Sequence, residues 1–138
     1  MRMTDELKKE FTLKITQANA TELIVILYDM ILVYIEEARE AFEKNNEEDY
    51  MQSLRKIRNC IGELMESLNL DYEMARNMYS LYVFFFFFFV KAETKKEKFA
   101  YLENIKPMIE SLRNAYNQVA SVNSNGPVMK NTQTVYAG

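Results

Sequence analysis

The residues that could carry chemistry in this chain are few. There is one cysteine, Cys60, and no histidine among 138 residues. Without histidine, neither a Ser-His-Asp nor a Cys-His nucleophile can be assembled. The Glu-x-x-His metal motif of carboxylate-bridged helical proteins is equally out of reach. A zinc site needs sulfur or nitrogen ligands that one cysteine cannot supply. No Asp/Glu cluster falls inside an apolar stripe, so carboxylate acid–base work has no sheltered place. An enzyme or redox sensor would rest on Cys60, which lies beside an apolar stripe and reads as a small hydrophobe. No cofactor is expected.

What remains is apolar and aromatic surface, suited to binding rather than to catalysis. From Leu23 to Ile35 Asp29 is the one charged residue, and from Phe84 to Phe89 the chain is phenylalanine throughout. A helix apolar nearly all round is either buried on most sides or a binding surface. Nine methionines add adaptable contact area. Neither run approaches the roughly 20 residues that span a bilayer, so no transmembrane segment is expected. The net charge of −3, with both signs mixed, offers no basic footprint for nucleic acid. One cysteine and a charged, unhydrophobic start fit a reducing cytoplasm without a secretory signal.

The elements that position these residues read as helices. With 3 Gly and 2 Pro, the chain is short of turn formers. Residues 1–18 form an N-terminal arm; alternation at Phe11, Leu13 and Ile15 suits an extended segment, and a short helix is equally open. Asn19-Ala20-Thr21-Glu22 has the form of a capping box, starting a long helix that runs to about Lys44. A second helix runs from about Glu47 to Leu68, with a stripe through Met51, Leu54, Ile57, Ile61, Leu64 and Leu68. A third spans about Tyr72–Ala92; its flanks read as helix, which excludes a lone strand for the Phe run. A fourth spans Lys95–Val122 with Pro107 inside, where a kink or a restart is expected. Residues 123–138 turn to Ser, Asn, Gly and Thr and are expected to be disordered. Short connections make sequential helices antiparallel neighbours. The expected fold is all-α: an antiparallel up-down four-helix bundle over 19–122 with an N-terminal arm or short helix.

Several pieces, in order and at spacing, resemble one family. Glu22-Leu23 followed by Leu27-Tyr28-Asp29 is similar to the E-L-x-x-x-L-Y-D of the FliS flagellar export chaperones. Ile35-Glu36-x-Ala38-x-x-Ala41 resembles their I-E-x-A-x-x-A. Lys56, Ile61-x-Glu63-Leu64 and Leu68 follow the second-helix pattern. Ala75-x-Asn77 with Leu81-Tyr82, then Leu112-Arg113-x-Ala115-Tyr116, follow A-x-N-L-x-x-L-Y and L-R-x-A-W. The chain departs where the family reads L-Y-D-Y-M-x-R-R-L: an acid and two arginines are replaced by Val83, Phe87 and Phe88. A Gly-Gly before that helix is Asp71-Tyr72, the arm's usual Tyr falls near Glu10 and Phe11, and the closing Trp is Tyr116.

The resemblance implies a helical chaperone that binds the disordered C-terminal segment of flagellin in the cytoplasm, blocks premature polymerisation and passes it to the flagellar export gate. Candidate partner-binding residues are Ile15, Leu23, Ile24, Leu27, Tyr28, Ile31, Leu64, Leu68, Leu81, Tyr82, Phe84, Phe87 and Phe88. If Phe85 and Phe89 face the core, then at 100° per residue Val83, Phe87 and Val90 point away, with Phe84, Phe86 and Phe88 on the flanks. Two or three such rings expose about 300–600 Å², enough to mark an interaction site. Its occupant is a client, a second copy giving a homodimer through the Phe-rich helix, or the arm acting as a lid. The alternative function is a self-associating structural bundle of the same fold.

Overall fold

In a computed structural model the described residues are 4–94 and 98–122, excepting the side chains of 16, 17, 98, 99, 121 and 122. They form five helices and no strand: α1 Asp5–Gln17, α2 Ala20–Glu43, α3 Glu47–Glu66, α4 Glu73–Lys91 and α5 Lys98–Val122. The start expected at Lys95 and the disorder expected over 123–138 lie outside the described residues.

Local chemistry sets the boundaries. The Asn19 side chain accepts from the Glu22 backbone N–H at 2.9 Å, and Glu22 accepts in return from the Asn19 N–H at 3.2 Å. That reciprocal pair satisfies two donors that a helix start otherwise leaves bare. α2 ends at Glu43, and just past its cap Lys44 the φ of Asn45, 56°, is left-handed, a region asparagine enters more readily than most residues. Asn46 then caps α3 through the Asp49 N–H. The arm is helical, not extended. Its inward stripe is Leu7, Phe11 and Ile15, one turn apart each, while Leu13 lies exposed. The alternation at 11, 13 and 15 was the wrong period to follow.

α5 passes through Pro107 as one helix, without the expected restart. Pro107 lies on the exposed side of α5, where loss of one backbone donor leaves the partner carbonyl open to water.

α2 is central. It packs against α3 and α5 on two sides and against α1 on a third, while α3 packs against α4. The core joins Ile24, Tyr28, Ile31 and Ile35 of α2 to Leu54, Ile57, Ile61 and Leu64 of α3, with Tyr82, Phe85 and Phe89 of α4 and Leu102, Ile105 and Ile109 of α5. Two ion pairs tie α2 to α5 in opposite chain senses: Asp29 to Arg113 at 2.8 Å and Glu36 to Lys106 at 3.0 Å. α1 folds back along α2, so that Lys14 lies by Glu22 and Asp29 while Lys8 lies by Glu37 and Lys44.

Candidate functional site

Three helices meet at a buried cluster of tyrosines. The hydroxyls of Tyr28 on α2 and Tyr82 on α4 share a hydrogen bond of 2.6 Å, and Tyr116 on α5 lies beside them. The Tyr28 and Tyr116 rings lie 5.8 Å apart. Burial pushes all three phenols above their ordinary pKa, so they stay protonated and act as a structural tie. A buried hydroxyl without a partner costs about 1–3 kcal/mol, and among the described residues no buried side-chain nitrogen or oxygen is unpaired. The cluster fixes α4 against α2 at its middle.

The far end of α4 is fixed by α3. Tyr50 donates to the Ala92 carbonyl at 2.9 Å, and Arg58 pairs with Glu93 at 2.8 Å. Glu93 and these contacts lie on one side of α4. On the other side, Phe88 stacks on Tyr101 of α5 with ring centroids 3.9 Å apart and planes 3° from parallel. Beyond that stack α4 and α5 do not pack closely, and a hollow of about 360 Å³ opens between them, lined by Leu81, Pro107, Met108, Ser111 and Leu112.

The flanks of α4 and α5 on either side of that hollow share a property that sets them apart. At 100° per residue, Asn77, Leu81, Phe84 and Phe88 line one flank of α4. Tyr101, Asn104, Met108, Ser111, Leu112, Ala115 and Val119 line the facing flank of α5. None of these residues is charged. Phe84, Met108 and Val119 are exposed, and Met74 and Leu70 extend the apolar surface past the α4 start. The flank of α5 runs about 27 Å at 1.5 Å per residue. The opposite flank of α5 carries Lys106 and Arg113, both engaged with α2.

Eight of the thirteen residues singled out in the sequence are packed inside. Leu23, Ile24, Leu27, Tyr28, Ile31, Leu64, Leu68 and Tyr82 are buried and present no surface in this conformation, because α2 is covered from three directions. Ile15, Leu81 and Phe88 are partly buried, and Phe84 and Phe87 are exposed. Leu81 lines the hollow, Phe84 and Phe88 share its flank of α4, Phe87 lies on the outer ridge of α4, and Ile15 sits apart on α1. The α5 wall was missed as a surface; the signal was there in the absence of charge along 101, 104, 108, 111, 112, 115 and 119. α1 packs on α2, where its Lys8 and Lys14 lie beside residues of α2, α3 and α5 and not of the Phe run.

Cys60 is buried and its thiol is pushed up to about 12, first by burial and then by Glu63. A neutral, enclosed thiol is a poor nucleophile. Among the described residues no group of three or more His, Cys, Asp or Glu could hold a metal. No helix among them is long and apolar enough to cross a membrane.

The family described as Flagellar protein FliS matches residues 3–123. The Flagellar secretion chaperone FliS of Bacillus subtilis (strain 168) is 28% identical over 104 residues, which span 75% of this chain and 77% of that one. Motif order, helical architecture and a match over most of the chain agree, and the chain belongs to the FliS family.

Proposed function

We propose that this protein is a cytoplasmic, non-catalytic chaperone that binds the disordered C-terminal segment of flagellin, keeps it from polymerising and delivers it for type III flagellar export. The observation that carries this reading is the uncharged channel between α4 and α5. A client made of amphipathic pieces lays its apolar residues into such a channel, and the methionines along it adapt to varied side chains. The fold proposed with it is an antiparallel up-down four-helix bundle of α2–α5 with α1 as an arm. The opposed senses of the α2–α5 ion pairs support that arrangement.

The partner-binding residues of this reading are Leu81, Phe84 and Phe88 with Met108 and Leu112. Ile15 and Leu23 belong to a second region, where α1 lies over α2. α1 covers apolar surface of α2 there, and a client that displaces it gains that surface.

Calorimetry of the full chain with the C-terminal segment of flagellin tests the proposal. Binding one to one, with a negative heat-capacity change, is the expected result. Met108→Glu, which places a charge in the channel without touching the core, should weaken it by about tenfold or more. No binding by the folded wild type overturns the reading. Deleting residues 1–15 should tighten binding if α1 competes; equal or weaker binding removes that part.

A further inference from the structure

The channel between α4 and α5 differs at its two ends. Its walls run in opposite senses: Phe88 of α4 meets Tyr101 of α5, while Tyr82 and Tyr116 both lie against Tyr28. The helices touch at the Phe88–Tyr101 stack. The other end holds the start of α4 and the end of α5, and there Leu70, Tyr72, Met74 and Val119 are exposed. α5 closes at Val122, so the chain that follows it begins beside the open mouth of the channel.

Length and chemistry decide what can lie there. Residues 123–127, Asn-Ser-Asn-Gly-Pro, are turn formers throughout and include an Asn-Gly pair that favours a reversal. Extended, the segment from Val128 to Tyr136 spans about 26–30 Å. The flank of α5 from Tyr101 to Val119 spans about 27 Å. From 123 to 138 Lys130 is the one charged residue. Alternate residues of an extended segment share a side, so Met129, Asn131, Gln133 and Val135 face together and Lys130 faces the other way. An uncharged side can thus meet uncharged walls. A separate partner must offset its lost freedom of motion. A segment tethered a few residues away meets the channel at an effective concentration in the millimolar range, so a weak contact through Met129 and Val135 fills it.

We propose that residues 128–136 turn back over 123–127 and lie along the α4–α5 channel of their own chain, antiparallel to α5, with Met129 toward Val119 and Val135 toward Met108. The chain then occupies its own channel until a longer partner displaces the segment. Occupation in cis covers Met108 and Val119, which are exposed and which α1, engaged with α2, leaves open. The seat of the segment does not depend on which client the channel takes. Its part as a place-holder for flagellin rests on the chaperone reading.

Methionine-methyl NMR of the full chain, carrying a nitroxide at Thr132→Cys, is the test; Cys60 is buried and does not take the label. The Met108 signal should lose most of its intensity, and Met51, near the start of α3 at the other end of the bundle, should keep its own. Met129→Asp combined with Val135→Asp should restore Met108, with helix content and melting unchanged because both positions lie outside the five helices. A Met108 signal untouched by the label overturns the proposal, as does a loss that survives the double substitution. A loss that fades on dilution into unlabelled protein places the segment in another copy and overturns its seat in cis. The doubly substituted chain should also bind the C-terminal segment of flagellin severalfold more tightly than wild type, since no fraction of its channel is self-occupied. Equal affinity overturns the place-holder role. Absence of flagellin binding by the wild type overturns the chaperone reading and that role with it, while the Met108 signal still decides the seat.

Discussion

Two helices of this protein carry apolar runs too broad for one core, and the two runs end differently. In α2 the run from Leu23 to Ile35 is enclosed: α3 and α5 take two sides and α1 takes a third. In α4 the run from Val83 to Val90 is split. Phe85 and Phe89 are fully buried, while Phe84 and Phe87 face solvent. Composition does not distinguish these cases. The number of neighbours does. α2 lies at the centre with an arm folded over its outer side, and α4 lies at an edge, packed along α3 and touching α2 and α5 at single points. An apolar run is therefore a statement about surface that must be covered somehow, and the topology decides whether the same chain covers it.

The sharpest way to break this comparison is within the Phe run itself. Phe85→Ala should cost about 3–5 kcal/mol in denaturant unfolding, the range for removing a buried ring and leaving a cavity. Phe87→Ala, two residues further on and on the exposed side, should stay within about 0.5 kcal/mol of wild type. Similar costs for both would mean that the run is not split between core and surface.

The cover over α2 gives the next effect. Phe11 is the buried residue among the described side chains of α1, and full burial of such a ring contributes about 1.5–3 kcal/mol. Phe11→Ala should strip hydrogen-exchange protection from Asp5–Gln17 while α4 keeps its own. Unchanged protection in α1 would mean that something other than Phe11 holds the arm. The Tyr82 hydroxyl comes third. Tyr82→Phe leaves the buried Tyr28 hydroxyl without its partner, at about 1–3 kcal/mol, and Tyr116→Phe should cost less because the Tyr28–Tyr82 bond survives it.

The regular parts of the fold were legible because local rules and packing agree there. The capping box at Asn19 and the stripes of α3 and α5 follow from periods of three and four that no neighbour has to enforce. The arm was ambiguous because Phe11, Leu13 and Ile15 satisfy a period of two by chance; Leu7, outside that triplet, completes the helical stripe. The site was harder to see. The breadth of the α2 run is compatible with a binding surface, but Ile24, Leu27 and Ile31 are taken up by the core with α3, α4 and α5, while the α1 side of α2 holds Val25 and Ile26, and a sequence does not say which neighbour takes which side. The wheel did place Phe87 and Val90 outward, since that needs one assumption about Phe85 and Phe89. The α5 wall was overlooked because an uncharged flank stands out only once the charged flank is known to be occupied by Asp29 and Glu36.

Charge supplies the smallest and most selective test of the contrast, because α2 is tied to α5 by ions and the α4 ridge holds none. Burial would raise the Glu36 pKa, but hydrogen bonds from Arg39 and Lys106 outweigh it and hold the carboxyl below its ordinary value. A carboxylate with a lowered folded pKa adds stability above its unfolded pKa and loses it as pH falls through the folded one. Glu36 is partly exposed, with 26% of its side chain accessible, so solvent screening limits the contribution to about 0.5–1 kcal/mol. Glu36→Gln should therefore be less stable than wild type by about that much near pH 7, and the gap should close as pH falls through and below the ordinary glutamate range, where the wild-type carboxyl becomes protonated. High salt should narrow the gap at neutral pH in the same way. Phe87→Ala, measured beside it, should show no dependence on either variable. A Glu36→Gln deficit that persists at low pH would mean that packing of the side chain, not its charge, joins α2 to α5.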